Sequence, residues 1–291
     1  MKDFVKRLNK KRLKTLAFFA LTSLLFVLCG VALIFTVSDD VHLEIWITLV
    51  FAALFAALAA SSRIFLLSPA RKDYEDDFKS NAMNELFLDA AEDVIFEEGH
   101  ADVSRFASQN VISGFENDDV EKSFRGKYED IPFAFYFARR ENAFTGWLAE
   151  FEFSKTFKRD FQLRRKGSSL CVPPEKVWED GYTEFETSSE PFNFRYIVVS
   201  AEGVDVGAVM CEEAVYSFLS ATERTRARIS ASFDGNRLYL FLQGVAPSFN
   251  IPLLSPVTET RLKKELFADI SAALILATDL DAEKKIWKRT T

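Results

Sequence analysis

Two long runs of uncharged, mostly apolar residues near the start of the chain constrain its fold more than any other feature. The first run, 15–37, reads TLAFFALTSLLFVLCGVALIFTV, and the second run, 45–67, contains one charged residue, Arg63. A helix needs about 20 predominantly apolar residues to cross a bilayer, because each residue adds about 1.5 Å of rise. The short polar link 38–44 would make the two helices antiparallel neighbours. The sequence therefore predicts an N-terminal transmembrane hairpin, with helices over 15–37 and 45–67.

Two alternatives to this hairpin fit the sequence less well. A signal peptide would have a shorter apolar core, of about 7–15 residues, and a cleavage site made of small residues. The first run is longer and is followed directly by the second. A buried globular hairpin is disfavoured because two uncharged runs of this length lie so close together.

The charges that flank the two runs predict the orientation of the hairpin. Segment 1–14 carries seven Lys or Arg residues against the single acid Asp3, whereas the link 38–44 carries acids and no Lys or Arg. Basic residues stay on the cytoplasmic side of a membrane. We therefore expect a multi-pass protein of the bacterial inner (cytoplasmic) membrane, with 1–14 as a basic cytoplasmic N-terminus, 38–44 as an external link, and both termini cytoplasmic.

The second run also suggests which partners the predicted helices have besides the lipid bilayer. Small residues of this run would let another helix approach closely, and they are Ala52, Ala53, Ala56, Ala57 and Ala60. The approaching helix is either the first span or, in a homo-oligomer, a span of a second copy. The spans hold no charge except Arg63, and transport paths usually need polar groups, so a pore or transporter subunit is disfavoured.

The remainder of the chain, 73–291, is predicted to be a cytoplasmic domain of acidic composition. Residues 1–72 carry a net charge of +6 and the remainder carries −13. General nucleic-acid binding needs a basic surface to meet phosphate, so this charge argues against it. The cysteines Cys29, Cys171 and Cys211 have no CxxC neighbour and no metal-ligand spacing, which is typical of free thiols in a reducing compartment.

Hydrophobic periodicity predicts an α+β fold for 73–291. Alternation with a period of two indicates half-buried strands, and Asp234-Gly235 favours a tight hairpin turn; the predicted strands lie in 133–138, 147–153, 161–165, 192–200 and 227–242. Helical periodicity predicts helices over 73–98, 212–222 and 258–280. Pro, Gly and Ser near 167–190 suggest an internal subdivision. The predicted fold class is membrane-anchored α+β, with a mostly antiparallel sheet and packed helices.

The order of elements resembles a bacterial two-transmembrane family of uncharacterised function, domain-of-unknown-function family 3137. The matching residues are Phe144-Thr145-Gly146-Trp147, Phe151 to Phe157, Phe192-Asn193-Phe194, the 212–219 helix and the Asp234-Gly235 hairpin. The resemblance implies a two-span N-terminal hairpin followed by one cytoplasmic α+β domain. It implies no activity and no functional residue.

Motifs of catalysis are absent from the sequence. His42 and His100 have no HExxH setting, and the chain contains no GxSxG, GxGxxG or GxxxxGK[ST] motif. The sequence therefore predicts no catalytic residue, no cofactor and no metal site, and an enzyme is disfavoured.

Six basic residues form an island within the acidic domain: Lys155, Lys158, Arg159, Arg164, Arg165 and Lys166. Such an island could grip lipid head groups, an acidic partner or single-stranded nucleic acid. It could equally be a solvated strand edge, where Lys and Arg discourage edge-to-edge pairing.

These observations favour a membrane-tethered interaction or scaffold module that recruits or senses a protein partner at the inner leaflet. The alternative is a membrane-bound hydrolase whose carboxylate or metal site is not recognisable from sequence, and such an enzyme would need a concave acidic pocket.

Overall fold

The computed structural model describes most of the chain as two compact units. The residues left undescribed are 38–49, 51–52, 55, 89–90, 99–101, 113–115, 141–142, 172–180, 203–209, 245–252 and 289–291. The first unit comprises Met1–Glu85 and Phe249–Leu262, and the second comprises Leu86–Ser248 and Lys263–Thr291.

Two long helices that run in opposite directions build the first unit. Helix α1 spans Lys2–Val37, and helix α2 spans Ser68–Leu88 after a π-helical turn at Arg63–Leu67. Three contacts at regular steps fix the antiparallel register: the Met1 amino group lies 3.1 Å from Glu85 Oε2, Thr15 Oγ1 donates to the Ala70 carbonyl at 3.1 Å, and the Thr22 and Ser62 hydroxyls lie 2.8 Å apart. Going forward along α1 by 14 and then 7 residues, the contacts move back along the second helical segment by 15 and then 8 residues, as in an antiparallel helix pair.

Ion pairs reinforce this register in the polar half of α1. The Lys11 ammonium lies 3.0 Å from an Asp73 oxygen and 2.9 Å from an Asp77 oxygen, and Arg7 lies 3.3 Å from Asp77. Burial opposes ionisation of Asp77, but hydrogen bonds from Lys11 and Asn81 outweigh it and hold the pKa of Asp77 below its ordinary value. The sequence thus uses its basic N-terminal segment to pair the two helices.

A distant segment of the chain completes the first unit. The Asn9 side-chain amide donates to the Val257 carbonyl at 2.7 Å and accepts from the Val257 N–H at 3.0 Å, so it imitates a backbone partner. Arg12 donates to the Leu253 carbonyl at 3.2 Å. The short helix α6, Glu259–Leu262, follows this segment.

The predicted transmembrane helices over 15–37 and 45–67 are wrong for the part of the chain that the structure describes. No helix there combines the length and the apolar content that crossing a membrane requires. The prediction rested on the length of each uncharged run, whereas in the structure the first run is the later part of one helix that begins at Lys2 and includes the charged segment before it.

Several predictions rested on these spans. The membrane-anchored fold class and the multi-pass inner-membrane localisation with cytoplasmic termini are therefore wrong as well. Bilayer contact and a homo-oligomer through these helices are not tested by the structure and stay predictions. The link 38–44 and residues 45–49, 51–52 and 55 of the second run lie outside the described residues.

A nine-stranded antiparallel sheet forms the centre of the second unit, in the order β1-β2-β3-β4-β9-β8-β5-β7-β6. The strands are β1 (Glu92–Glu98), β2 (Val120–Tyr128), β3 (Ile131–Arg140), β4 (Phe144–Glu152), β5 (Phe161–Arg165), β6 (Tyr182–Phe185), β7 (Tyr196–Ala201), β8 (Arg228–Asp234) and β9 (Arg237–Gln243). The helices are α3 (Ser104–Ser108), α4 (Glu190–Arg195), α5 (Glu212–Arg224) and α7 (Ala268–Ala282), the last preceded by a π-helical turn at Lys263–Phe267.

Alternation along the strands gives the sheet two different faces. The first face is rich in aromatic rings, as the Phe135 and Trp147 rings in contact at 6.4 Å illustrate, and α5 packs on it through Phe218 and Phe233. On the second face, Phe106 of α3 meets Tyr239 and other rings edge-on. Both faces are therefore covered where the central strands lie.

The structure confirms the predicted antiparallel sheet with packed helices, adds strands β2 and β6 and helix α3 that were not predicted, and changes two further elements. The helix predicted over 73–98 ends at Leu88, and Glu92–Glu98 instead pairs with β2. The strand predicted over 192–200 begins only at Tyr196, because Glu190–Arg195 is helical. Within the subdivision predicted near 167–190, residues 172–180 lie outside the described residues.

Substituting Gly146 tests the packing of β4 on β9. A Cβ atom at Gly146 would lie 2.0 Å from the Leu242 carbonyl oxygen, and the φ angle is +156°. We expect Gly146→Ala to lower the free energy of unfolding by about 3 kcal/mol or more, measured by urea denaturation. Gly244→Ala is the control, since its Cβ would meet Ala227 at 3.4 Å; equal stabilities of the two variants would contradict this packing.

Lys11→Met tests the helix pairing of the first unit. Asp77, whose side chain is 8% exposed, would lose a close cation, and we expect a loss of about 1–2 kcal/mol at pH 7. Because the pKa of Asp77 is depressed, its contribution is complete above the ordinary Asp value and is lost as the pH falls through the lowered pKa. The difference between wild type and variant in urea denaturation should therefore vanish in acid. An exposed neighbour, Lys10→Met, should leave stability unchanged.

Candidate partner-binding surface

The six residues of the predicted basic island do not form one surface. Arg164 is 0% exposed, Arg159 is exposed, and the other four divide between two neighbourhoods. Lys155 and Lys158 lie beside the end of the chain, whereas Arg165 and Lys166 contact α4. Whether any of them contacts lipid or a partner stays a prediction.

Arg164 is a structural group of the interior. Its guanidinium donates to Gln162 Oε1 at 3.0 and 2.7 Å, to the Leu170 carbonyl at 3.1 Å and to the Asn110 carbonyl at 2.9 Å. Burial lowers the pKa of Arg164 to about 10, so the group still carries its proton at neutral pH. Sequence reasoning missed this role because strand β5 reads as a basic surface strand.

Lys155 and Lys158 attach the C-terminal segment to the second unit. The Lys155 ammonium lies 3.0 Å from Asp281 Oδ1 and 5.4 Å from the centre of the Trp287 ring. The Lys158 N–H donates to the Ile286 carbonyl at 3.0 Å, and the Trp287 ring stacks on Phe157 at 4.3 Å. The Lys155 ammonium therefore already has intramolecular partners, whereas the bond of Lys158 involves its backbone and not its side chain.

Arg165 and Lys166 hold the carbonyl end of the short helix α4. Arg165 Nη1 donates to the Arg195 carbonyl at 2.9 Å, and the Lys166 N–H donates to the same oxygen at 2.8 Å. Lys166 Nζ donates to the Asn193 carbonyl at 2.6 Å. The last carbonyls of a helix lack intrahelical partners, so cations and N–H donors at this end stabilise it.

Asn193 fixes α4 from the other side. Its Oδ1 accepts from the Thr187 N–H at 2.9 Å and from the Thr187 hydroxyl at 2.8 Å, and its Nδ2 donates to the Thr187 carbonyl at 2.7 Å. Pro191 lies in the first turn, where its missing N–H leaves no bond unmade. A helix of six residues, too short to be stable alone, is thus held at both ends.

The two phenylalanines of α4 have opposite environments. Phe192 is 0% exposed and stacks on Tyr196 at 4.7 Å, whereas Phe194 is 81% exposed. Phe194 borders an open cleft of about 700 Å³. We call this the Phe194 surface, and its residues are Glu186, Ser188, Glu190, Pro191, Asn193, Phe194 and Arg195.

Charges of both signs surround the exposed ring. Lys166 is exposed, and Arg195 forms a loose pair with Glu223, with 3.8 Å between the nitrogen and the oxygen. Glu186 and Glu190 supply negative charge to the cleft. An apolar centre with a polar rim is the anatomy of a protein–protein interface.

One group of side chains in the described part of the chain could hold a metal ion: Cys211, Glu213 and Glu283, whose ligand atoms lie within 4.8 Å of one another. Two observations oppose this use. Lys285 Nζ already lies 2.8 Å from Glu213, and burial, followed by the nearby carboxylates, raises the pKa of the Cys211 thiol. The predicted hydrolase alternative therefore gains no support from this group.

Sequence reasoning missed the functional candidate Phe194, because Phe192-Asn193-Phe194 was interpreted as the start of a strand. A signal for the helix was present. Ser189 followed by Glu190 and Pro191 is a typical helix start, with an acid and a proline in the first turn.

Comparison with known proteins agrees with the resemblance seen in the sequence. The family model described as "Protein of unknown function (DUF3137)" matches residues 142–282, and this confirms the resemblance to domain-of-unknown-function family 3137 over that segment. No curated protein matches the chain.

Among solved structures, the mycobacterial trehalose monomycolate transport factor A, TtfA, is similar at 11% identity and a TM-score of 0.39. The match covers 64% of this chain and 88% of that chain. A likeness at this level supports no conclusion about fold or function.

Substituting the two phenylalanines separately tests whether Phe194 is structural. Phe192→Ala should lower the free energy of unfolding by about 3–5 kcal/mol, because it opens a cavity in the interior. Phe194→Ala should change it by less than about 0.5 kcal/mol, because its ring touches mainly solvent. Urea denaturation of both variants gives the comparison. A large loss with Phe194→Ala would mean that the ring supports the fold.

Proposed function

We propose that this chain, which shares the domain of family 3137 over residues 142–282, is a protein-interaction module that binds its partner through the Phe194 surface. The partner is a protein segment whose apolar side chain covers the Phe194 ring and whose carboxylates meet Lys166 and Arg195. The observation that carries the proposal is an aromatic ring, 81% exposed, on a helix that is held at both ends.

Rigidity is the first support for this proposal. Association orders side chains and loops, and this ordering opposes binding. Arg165, Lys166 and Asn193 already fix the backbone that carries Phe194. The exposed ring is therefore pre-organised, and aromatic residues of this kind dominate interface energetics.

Charge is the second support, and it selects the partner. The exposed Lys166 and the loosely paired Arg195 can attract carboxylates. Glu186 and Glu190 in the same cleft would repel carboxylates placed against them. Charges arranged in this way favour one orientation of an acidic segment and contribute to the rate of association.

Site-specific photo-cross-linking tests the proposal. Phe194→p-benzoylphenylalanine should yield a defined cross-linked partner in living cells. The matched control is Tyr216→p-benzoylphenylalanine, because Tyr216 is an aromatic residue of α5 that is 73% exposed. The control should not yield that partner.

The affinity of the cross-linked partner for the wild type and for two variants then tests whether the Phe194 ring contributes to binding. Phe194→Ala should weaken binding by about 30-fold, as expected for a hot-spot residue. Tyr216→Ala should leave the affinity unchanged, and both variants should keep the melting temperature of the wild type. Absence of a cross-link from position 194, or equal affinity of wild type and Phe194→Ala, would overturn the proposal.

A further inference from the structure

A polar pocket lies on the second face of the sheet, where β5 begins and β8 ends. Its volume is about 330 Å³, which suits a small molecule. Its walls come from the turn after α3, the starts of β5 and β6 and the end of β8: Ser108, Gln109, Asn110, Asp160, Phe161, Gln162, Tyr182, Ser232, Phe233 and Asp234. All of these residues belong to the second unit.

Part of the wall of this polar pocket is buried and held by hydrogen bonds, whereas Ser108, Asp160 and Asp234 are exposed. Gln109, Gln162 and Ser232 are each at most 9% exposed. Gln162 Nε2 donates to the Gln109 carbonyl at 2.7 Å, and its Oε1 accepts from the Arg164 guanidinium. The same guanidinium binds the carbonyl of Asn110, a residue that stands at a φ of +52°. A network satisfied in this way holds its groups in one geometry.

Several hydrogen-bond donors of the pocket wall already bind other groups of the protein. The Ser232 hydroxyl donates to Gln109 Oε1 at 2.7 Å, Gln109 Nε2 donates to Asp234 Oδ2 at 3.1 Å, and the Ser108 hydroxyl donates to the Arg105 carbonyl at 2.7 Å. Asn110 and Tyr182 also border the pocket and can both donate and accept. The three bonds use the hydroxyl hydrogens of Ser108 and Ser232 and one N–H of the Gln109 amide.

Two carboxylates add negative charge to the pocket. Asp160 Oδ1 accepts from the Gly235 N–H at 2.9 Å, and Asp234 Oδ2 accepts from Gln109. Within the described part of the chain, neither carboxylate forms an ion pair, and each has one oxygen without a hydrogen bond. The Arg164 charge behind the wall weakens their field, but its nitrogens are engaged by Gln162, Leu170 and Asn110.

We propose that the polar pocket binds a small organic cation with N–H donors, an amine or a guanidinium compound, which the carboxylates of Asp160 and Asp234 recognise. Such a ligand supplies positive charge and N–H donors to two carboxylates that form no ion pair in the described part of the chain, and charge-assisted hydrogen bonds are the strong ones. Ca²⁺ or Mg²⁺ fits less well, since these ions need six or more oxygen ligands. The site is separate from the Phe194 surface.

Calorimetric titration of the full chain with putrescine tests the proposal, and butane-1,4-diol is the matched probe because it has the same length and no charge. We expect putrescine to bind with a Kd of about 1 mM or tighter and the diol not to bind. Binding should weaken as ionic strength rises. Because this comparison uses the unaltered protein, it needs no variant to fold.

Variants then locate the site. Asp160→Asn and Asp234→Asn keep one acceptor oxygen for Gly235 and Gln109 and remove the charge, so each should weaken putrescine binding by about tenfold or more. Asp130→Asn, an exposed site in the β2–β3 turn, should change nothing. Four outcomes would overturn the proposal: no binding of putrescine, equal binding of the diol, binding of Mg²⁺ or Ca²⁺ alone, or equal putrescine affinity in all variants.

Discussion

The buried guanidinium of Arg164 is the interaction on which the second unit depends. It joins strand β5 to the turn that follows α3, through the Asn110 carbonyl, and to the loop after β5, through the Leu170 carbonyl. It also orients the Gln162 amide that forms one wall of the polar pocket. A buried cation is tolerated only where its hydrogen bonds are made, so Arg164 specifies the positions of three chain segments at once.

The alternation of strand β5 divides its two adjacent arginines between the two proposed sites. Arg164 points with Gln162 toward the second face, where the polar pocket lies, and Arg165 lies on the opposite side and binds the carbonyl end of α4. Successive side chains of a strand alternate between faces, so one short basic segment can organise both places. Arg164 and Arg165 are used within the fold, and the exposed ring of Phe194 becomes the more informative feature of this surface.

Local sequence patterns correctly predicted the strands and turns that are determined by residues close together in the chain. The Asp234-Gly235 turn and the alternation around it predicted the β8–β9 hairpin, and strand β5 was predicted with its observed bounds. Tertiary context decided the rest. Ser230 and Ser232 alternate with apolar residues and so suggest a solvated face, yet both are buried beside the segment around Gln109. The uncharged run 15–37 suggested a membrane helix, whereas it continues a helix that starts at Lys2. Neither fact can be read from periodicity.

Urea denaturation of Arg164→Met tests this view of the second unit most directly, with Arg159→Met, an exposed neighbour, as the reference. Removing the guanidinium leaves Gln162 Oε1 and the Leu170 and Asn110 carbonyls without their donors. Each buried acceptor left unpaired costs about 1–3 kcal/mol, so the free energy of unfolding should fall by about 3 kcal/mol or more. A change within about 0.5 kcal/mol of the Arg159→Met variant would contradict the central role assigned to Arg164.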